Sequence, residues 1–322
     1  MRPLWKDILT AVFMGLVLPG VMLNFAVMLL DSRVEEAPEP QEQAVYPETV
    51  PLPMSLRIPE GTVEEMDMDA YLVGVVLAEM PASFETEALK AQAVAARTYT
   101  RKAWVSGGKH GEGSVCTDSG CCQAYITEEA YLARGGTQEG LDKVRSAVFA
   151  TSGQVLTYGG ELIEATYFSC SGGSTEDAAA VWGTEFPYLQ AVSSPGEESA
   201  AHYTDTVSFT AQEFQTILGT ALTGTPQSWF GTTTYTEGGG IASMTIGGQA
   251  YSGTQLRSLL SLRSTAFTVT AGEDTITVTT RGYGHRVGMS QYGADAMAVT
   301  GSTYGEILSH YYPGTQLTTV TP

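Results

Sequence analysis

The 322-residue sequence is short of basic side chains: Lys and Arg number 16 against 35 Asp and Glu, a formal net charge of -19. A surface of that sign repels phosphate backbones, which argues against nucleic acid as a partner. Cysteine and histidine are also scarce, at four each, so metal or thiol chemistry can be seated in few places. There is no Gly-x-Ser-x-Gly run, the turn that exposes a hydrolase serine, which disfavours a nucleophilic serine working with His285. The His-Glu-x-x-His helix of zinc hydrolases is missing too. No internal repeat is present, and low complexity is confined to residues 31–57.

One long uncharged stretch exists, ILTAVFMGLVLPGVMLNFAVMLL at residues 8–30. Its length predicts a single N-terminal transmembrane helix. Arg2 and Lys6 precede it and Asp31, Glu35 and Glu36 follow, which predicts a cytoplasmic N-terminus and an extracytoplasmic remainder. The alternative is a cleaved signal peptide, against which stand the length of the apolar run and the lack of a small-x-small site. Residues 31–57 are acidic and Pro-rich and read as an extended linker. The expected organisation is therefore an anchor at 1–30, a linker at 31–57 and one ectodomain at 58–322.

Within that ectodomain, helix signals run from about Asp67 to Met80, where Pro81 stops the run, and from Glu87 to Trp104 with Thr86 as cap. Shorter helices are expected near Glu128 and from Leu141 to Ala150. Gly159-Gly160 between Val155–Tyr158 and Leu162–Phe168 predicts a hairpin, as does the turn between Phe267–Thr270 and Thr275–Thr280. Capping boxes open helices at Thr210 and Ser252, and further helices are expected over Met289–Val299 and Tyr304–Tyr311. Helices and antiparallel hairpins in mixed order indicate an α+β fold.

Two features carry chemistry. Glu79 sits at the end of an apolar helix, where the negative helix terminus and apolar neighbours favour the protonated acid. That suits a general acid, although from spacing alone a solvent-facing Glu ending a helix is the better reading. His110, Cys116, Cys121 and Cys122 fall within thirteen residues and form a complete tetrahedral set for zinc. A disulfide or unpaired buried thiols remain open, and adjacent Cys121 and Cys122 are not expected to face one site comfortably.

Three segments are richer in polar, Gly and aromatic residues than a core requires: residues 71–104 with the run AEMP, 167–195 with YFSCSGGS, and 281–298 with GYGHRVGMSQYG. In this order they resemble the stage II sporulation protein D family, which includes amidase enhancers of the LytB type. The resemblance covers nearly all of Ile58–Thr315. It implies a lytic transglycosylase that cuts MurNAc–GlcNAc bonds of stem-peptide-stripped peptidoglycan strands during engulfment, leaving 1,6-anhydro-muramyl ends. It makes Glu79 the catalytic acid and base. Arg97, Tyr99, Ser169, Ser171, Gly172, His285, Ser290 and Gln291 become substrate-groove residues. A structural zinc on His110, Cys116, Cys121 and Cys122 fits relatives that bind zinc through a similar segment. Arg286 stands where the family normally has glycine, and is expected to narrow or recharge the groove. The implied partners are glycan strands, the membrane through a single helix, and the amidase/endopeptidase called stage II sporulation protein P. The implied location is the space between the engulfing membranes. The competing reading is a glycan-binding amidase enhancer that does not cut.

Overall fold

The computed structural model describes Thr49 and residues 51–58, 62–107, 110 and 115–320. Among them no helix is long and apolar enough to cross a membrane. The longest, Thr86–Val105, is 20 residues long but carries Glu87, Lys90, Arg97, Arg101 and Lys102. The other central helix, Met68–Glu79, has only 12 residues, about 18 Å at 1.5 Å per residue, well short of a bilayer core. The expected single N-terminal transmembrane helix at 8–30 falls outside the described residues. The expectation of an anchored fold, a membrane partner and a single-pass location is therefore corrected to a mixed α+β fold with helices and antiparallel strands and no membrane-spanning helix among the described residues.

Tyr46–Pro322 is one compact unit. Part of the stretch read as linker belongs to the folded unit: Leu52, Met54 and Leu56 are buried, and Pro53–Arg57 pairs antiparallel with Val63–Asp67. The same strand pairs in parallel with Val115–Cys116, so one metal-ligand candidate is fixed to a sheet.

Helix α1, Met68–Glu79, is capped by Asp67, whose carboxylate accepts the N–H groups of Asp69 and Ala70. It ends because Met80, preceding Pro81, adopts extended backbone with φ -132°. Nearly every α1 side chain from Met68 to Leu77 is buried, as expected of a helix apolar on all faces. Gly74 is needed here: a Cβ would lie 2.4 Å from the Tyr125 ring and 2.6 Å from the Ile126 carbonyl. Its absence lets the 123–126 loop lie on α1, with Ile126 N–H donating to the Gly74 carbonyl.

Helix α2, Thr86–Val105, packs beside α1, and its cap residue is Glu85 rather than Thr86. Around these two lie α3 (Glu128–Ala133), α4 (Gln138–Ala150) and α5 (Ala178–Trp182). Both capping boxes read from sequence are present, at α6 (Ala211–Leu218) and α7 (Gly253–Leu259). The chain closes with α8 (Gln291–Val299) and α9 (Tyr304–Tyr311).

The Gly159-Gly160 hairpin forms with both glycines at positive φ, joining Gln154–Tyr158 to Glu161–Leu162. The second strand stops early, because Tyr167–Phe168 leaves to pair in parallel with Met289–Ser290. That pairing joins two of the three motif segments. The hydrophobic interior has two parts. The larger gathers α1, α2, α4, α8 and α9; the smaller is built from Phe214, Trp229, Met244, Leu256, Ile276 and neighbours under the sheets of residues 204–281.

Candidate active site and metal centre

Where α1 ends, the 119–123 loop, the 165–169 segment, Trp182 and the 283–285 turn enclose an open cleft of ≈ 880 Å³. That volume is typical of a small-molecule or oligosaccharide site. Glu79 lines it, half-buried, with Oε1 accepting the Ala124 N–H at 2.8 Å. Burial raises its pKa above the ordinary carboxylate range, while the Ala124 N–H and the Gln291 amide act to lower it. Gln291 faces the acid from the first turn of α8, although its Nε2 closes no hydrogen bond of standard geometry. No other Asp or Glu is among the described residues that line it.

The cleft wall beside Glu79 is a hydrogen-bonded unit. Gln123 donates to Tyr71 Oη at 3.2 Å and Thr100 Oγ1 at 2.9 Å, and accepts from Tyr167 Oη at 2.9 Å. Burial and the nearby Glu79 push the Tyr167 phenol well above its usual range, so it stays a neutral donor. Opposite, His285 packs edge-on to Phe168 and tilted against Trp182, with ring centroids 5.5 and 5.3 Å away. Its Nδ1 accepts the Val287 N–H at 3.1 Å, and burial followed by the charge of Arg257 lowers its pKa to about 4. The imidazole is thus neutral at physiological pH and is a contact surface rather than a charge partner.

Of the residues expected in the groove, the structure brings Glu79, Tyr99, Ser169, His285 and Gln291 together. It places the others elsewhere. Arg97 is fully buried, donating through Nε and Nη2 to Asp69 Oδ1 at 3.1 and 2.8 Å and through Nη2 to the Val148 carbonyl at 3.1 Å. It clamps α1, α2 and α4 together and does not line the cleft. Ser171 and Gly172 turn inward onto the buried carboxylate of Glu197, which accepts both of their N–H groups and the Ser171 hydroxyl. Ser290 is buried and caps α8, accepting the Gly293 N–H. These three shape the loop and helix that carry Ser169 and Gln291.

Arg286 corrects an expectation in a different way. Its φ of +65° belongs to the left-handed region that glycine favours, which explains why a glycine suits the position. The side chain points away from the groove, into the interior. It donates to Glu176 Oε1 at 2.9 Å and to the carbonyls of Ser171, Ser174 and Gly238 at 2.7 Å each. It neither narrows nor recharges the groove.

His110, Cys116, Cys121 and Cys122 offer ligand atoms that all lie within 4.8 Å of one another, and no cysteine is in a disulfide. The two adjacent cysteines do face one site. The turn at Asp118, whose carbonyl accepts both the Cys121 and the Cys122 N–H, brings each Sγ to 3.5 Å from His110 Nε2. A tetrahedral zinc with bonds of 2.0–2.3 Å has edges of roughly 3.5–3.8 Å, so these residues fit the ion. Burial and the neighbouring thiols push Cys122 up to about 12. Cys122 is therefore a poor thiolate until a cation offsets that repulsion. The cluster is capable of coordinating a metal ion, consistent with structural zinc, and all four positions are protein ligands. Cys122, Gln123 and Ala124 in succession tie it to the cleft wall and to Glu79.

A family model described as Stage II sporulation protein matches residues 59–158. Stage II sporulation protein D of Bacillus subtilis (strain 168) is 43% identical over 266 residues, covering 81% of this chain and 77% of that protein. The chain belongs to the stage II sporulation protein D family. Stage II sporulation protein D of Bacillus amyloliquefaciens is 40% identical over the same shares of both chains. The amidase enhancer of Bacillus subtilis (strain 168) is 30% identical over 305 residues, 77% of this chain but 40% of that larger protein.

The span matched by the family model holds Glu79, Tyr99, the 119–123 wall and the whole metal cluster, and the remaining lining residues come from later in the chain. Sequence reasoning missed Gln123, Tyr167, Phe168, Trp182 and Tyr283. All except Gln123 are aromatic, and Trp182 and Tyr283 are 42% and 37% exposed. Large aromatics left exposed inside Gly- and Ser-rich motifs were the available signal.

Proposed function

We propose that the cleft binds a peptidoglycan glycan strand and that Glu79 cleaves its MurNAc–GlcNAc bond as a lytic transglycosylase. The observation that carries this reading is a half-buried carboxylate, raised in pKa by burial, with no second Asp or Glu among the described residues that line its aromatic-walled cleft. Glycoside hydrolysis uses two flanking carboxylates, one of which activates water or attacks the sugar. Intramolecular transfer needs one. Protonated Glu79 gives its proton to the leaving O4 of GlcNAc as the C1–O4 bond of MurNAc breaks. The carboxylate then takes the proton of the muramyl C6 hydroxyl as O6 bonds to C1. The 1,6-anhydro ring forms, Glu79 is protonated again, and no water is consumed. The Ala124 N–H stabilises the carboxylate between the two steps, and Tyr167 Oη with Gln123 fixes that wall. Trp182, Phe168 and Tyr283 supply flat apolar faces suited to sugar rings. Zinc on His110, Cys116, Cys121 and Cys122 would cross-link the wall loop.

The second reading, a glycan-binding amidase enhancer, rests on the relative of that name, and the names of the relatives support it more directly than they support cleavage. Mass spectrometry of defined glycan strands incubated with the protein separates the two. Anhydro-muramyl ends are expected. Reducing ends would replace the transglycosylase with a hydrolase. Intact strands that bind, together with faster hydrolysis by an added amidase, would establish the enhancer.

A further inference from the structure

The smaller hydrophobic interior, under the sheets of residues 204–281, has a cavity of its own that shares no lining residue with the cleft. Its volume is ≈ 310 Å³, at the low end for ligand pockets and suited to one small ring rather than a chain. Leu222, Thr223, Trp229, Phe230 and Thr245 contribute to its lining, and no lining residue among those described carries a charge. In a protein of net charge -19 such a lining is selective, because it offers neither an anion nor a cation a partner.

Trp229 is the decisive residue. It is 4% exposed and held by stacking on Phe214, with ring centroids 6.3 Å apart and planes 17° apart. Its indole Nε1 is buried and has no hydrogen-bond partner among the described residues. Indole nitrogen only donates, and a buried donor left unmatched is costly, so the group calls for an acceptor. The hydroxyls of Thr223 and Thr245 make no side-chain hydrogen bond among the described residues either. Backbone geometry keeps Thr245 accessible. The strand register shifts between Phe230 and Thr233, so Gly231 and Thr232 stand opposite Thr245 alone, in a bulge of the kind that flanks sites. A Cβ on Gly231 would crowd Thr245 at 3.3 Å.

We infer that this cavity is a second saccharide site, which takes one N-acetylglucosamine ring with its acetamido carbonyl on the Trp229 indole N–H. The acetamido group brings the acceptor that the indole lacks, and a methyl for Leu222 and Phe230. Ring hydroxyls meet Thr223 and Thr245. A muramic ring fits less well, because its lactyl substituent adds a charge or a peptide to a cavity sized for one neutral ring. That the ring belongs to the strand in the cleft rests on the glycan reading above; the site itself does not.

The test follows the indole N–H signals of the full-length protein, labelled with ¹⁵N at its four tryptophans, by NMR during titration with N-acetylglucosamine or glucose. Trp229→Phe identifies the Trp229 signal, and Trp182 reports on the cleft in the same spectra. The Trp229 signal should move saturably with N-acetylglucosamine, at the roughly millimolar Kd open to a single ring, and roughly tenfold more weakly with glucose. Thr245→Val keeps a branched strand residue and removes the hydroxyl. It should melt like wild type and bind about three- to tenfold more weakly at this signal. A Trp229 signal unmoved at about 100 mM N-acetylglucosamine, roughly a hundredfold above the expected Kd, would overturn the inference. Equal affinity for glucose would overturn it by removing the acetamido contact, and undiminished binding by folded Thr245→Val would do so by moving the site elsewhere. Movement of Trp229 without Trp182 would uphold the inference and count against the cleft reading alone.

Discussion

Asp69→Asn isolates the role of Arg97. The substitution keeps size and shape but leaves a guanidinium with 0% exposure without its counter-charge. Arg97 would retain the Val148 and Gln154 carbonyls, so hydrogen bonds survive while the charge does not. Removing one partner of a buried pair costs about 3–5 kcal/mol. For a folded unit of this size that lowers Tm by roughly 6–20 °C. Urea unfolding followed by fluorescence and circular dichroism measures the loss. Chitotetraose affinity, measured well below the transition, should not change, because neither residue lines the cleft. Arg97→Met, which leaves Asp69 as the orphan, should behave alike. A destabilisation below about 1 kcal/mol, or glycan affinity lost by a folded Arg97→Met protein, would refute the strut and return Arg97 to the substrate.

Chelation or Cys116→Ser should lower Tm and release the loop that carries Ala124; elemental analysis of the purified protein should find zinc, and its absence would contradict the assignment. Arg286→Gly should destabilise by a net of about 1–4 kcal/mol, because relief of a left-handed backbone, about 1–2 kcal/mol, is outweighed by the about 3–5 kcal/mol cost of a buried Glu176 left without its counter-charge. Urea unfolding reads the sign, and a stabilised variant would contradict it. His285, lowered from 6.5 to about 4, makes stability complete above pH 6.5 and diminishing as pH falls toward 4. The loss is up to about 3 kcal/mol, and His285→Asn should flatten that limb of a stability–pH curve.

Local rules made much of the fold legible. Thr210 and Ser252 cap as their capping boxes require, Pro81 ends α1, and Gly159-Gly160 turns the chain. The α+β class followed from those elements. Long-range pairing was not legible: nothing near Tyr167 announces that it leaves its hairpin to meet Met289. The site divided along the same line. The His/Cys cluster announces itself by residue type and closeness in sequence, whereas Glu79 was singled out by the AEMP match and not by spacing. Arg97, Ser171 and Ser290 have the chemistry of substrate contacts, but Asp69, Glu197 and Gly293, each distant in sequence or defined by a cap, satisfy them first. Arg286 misled because a side chain's direction follows from φ, and a left-handed backbone turns this one inward.

The central claim is that Glu79 is the proton donor in glycan cleavage. Its direct measurement compares wild type and Glu79→Gln on stem-peptide-free strands, with kcat from release of anhydro-muramyl ends and affinity from calorimetry. Glutamine retains an oxygen for the Ala124 N–H and cannot donate an acid proton. The expected result is kcat lower by roughly 10²–10⁴-fold with affinity little changed. Wild-type activity should also fall as pH rises through the raised pKa of Glu79, and Tm of Glu79→Gln should equal or exceed wild type at neutral pH, since an ionised buried carboxylate is removed. Anhydro-end release by Glu79→Gln within tenfold of wild type would contradict the account.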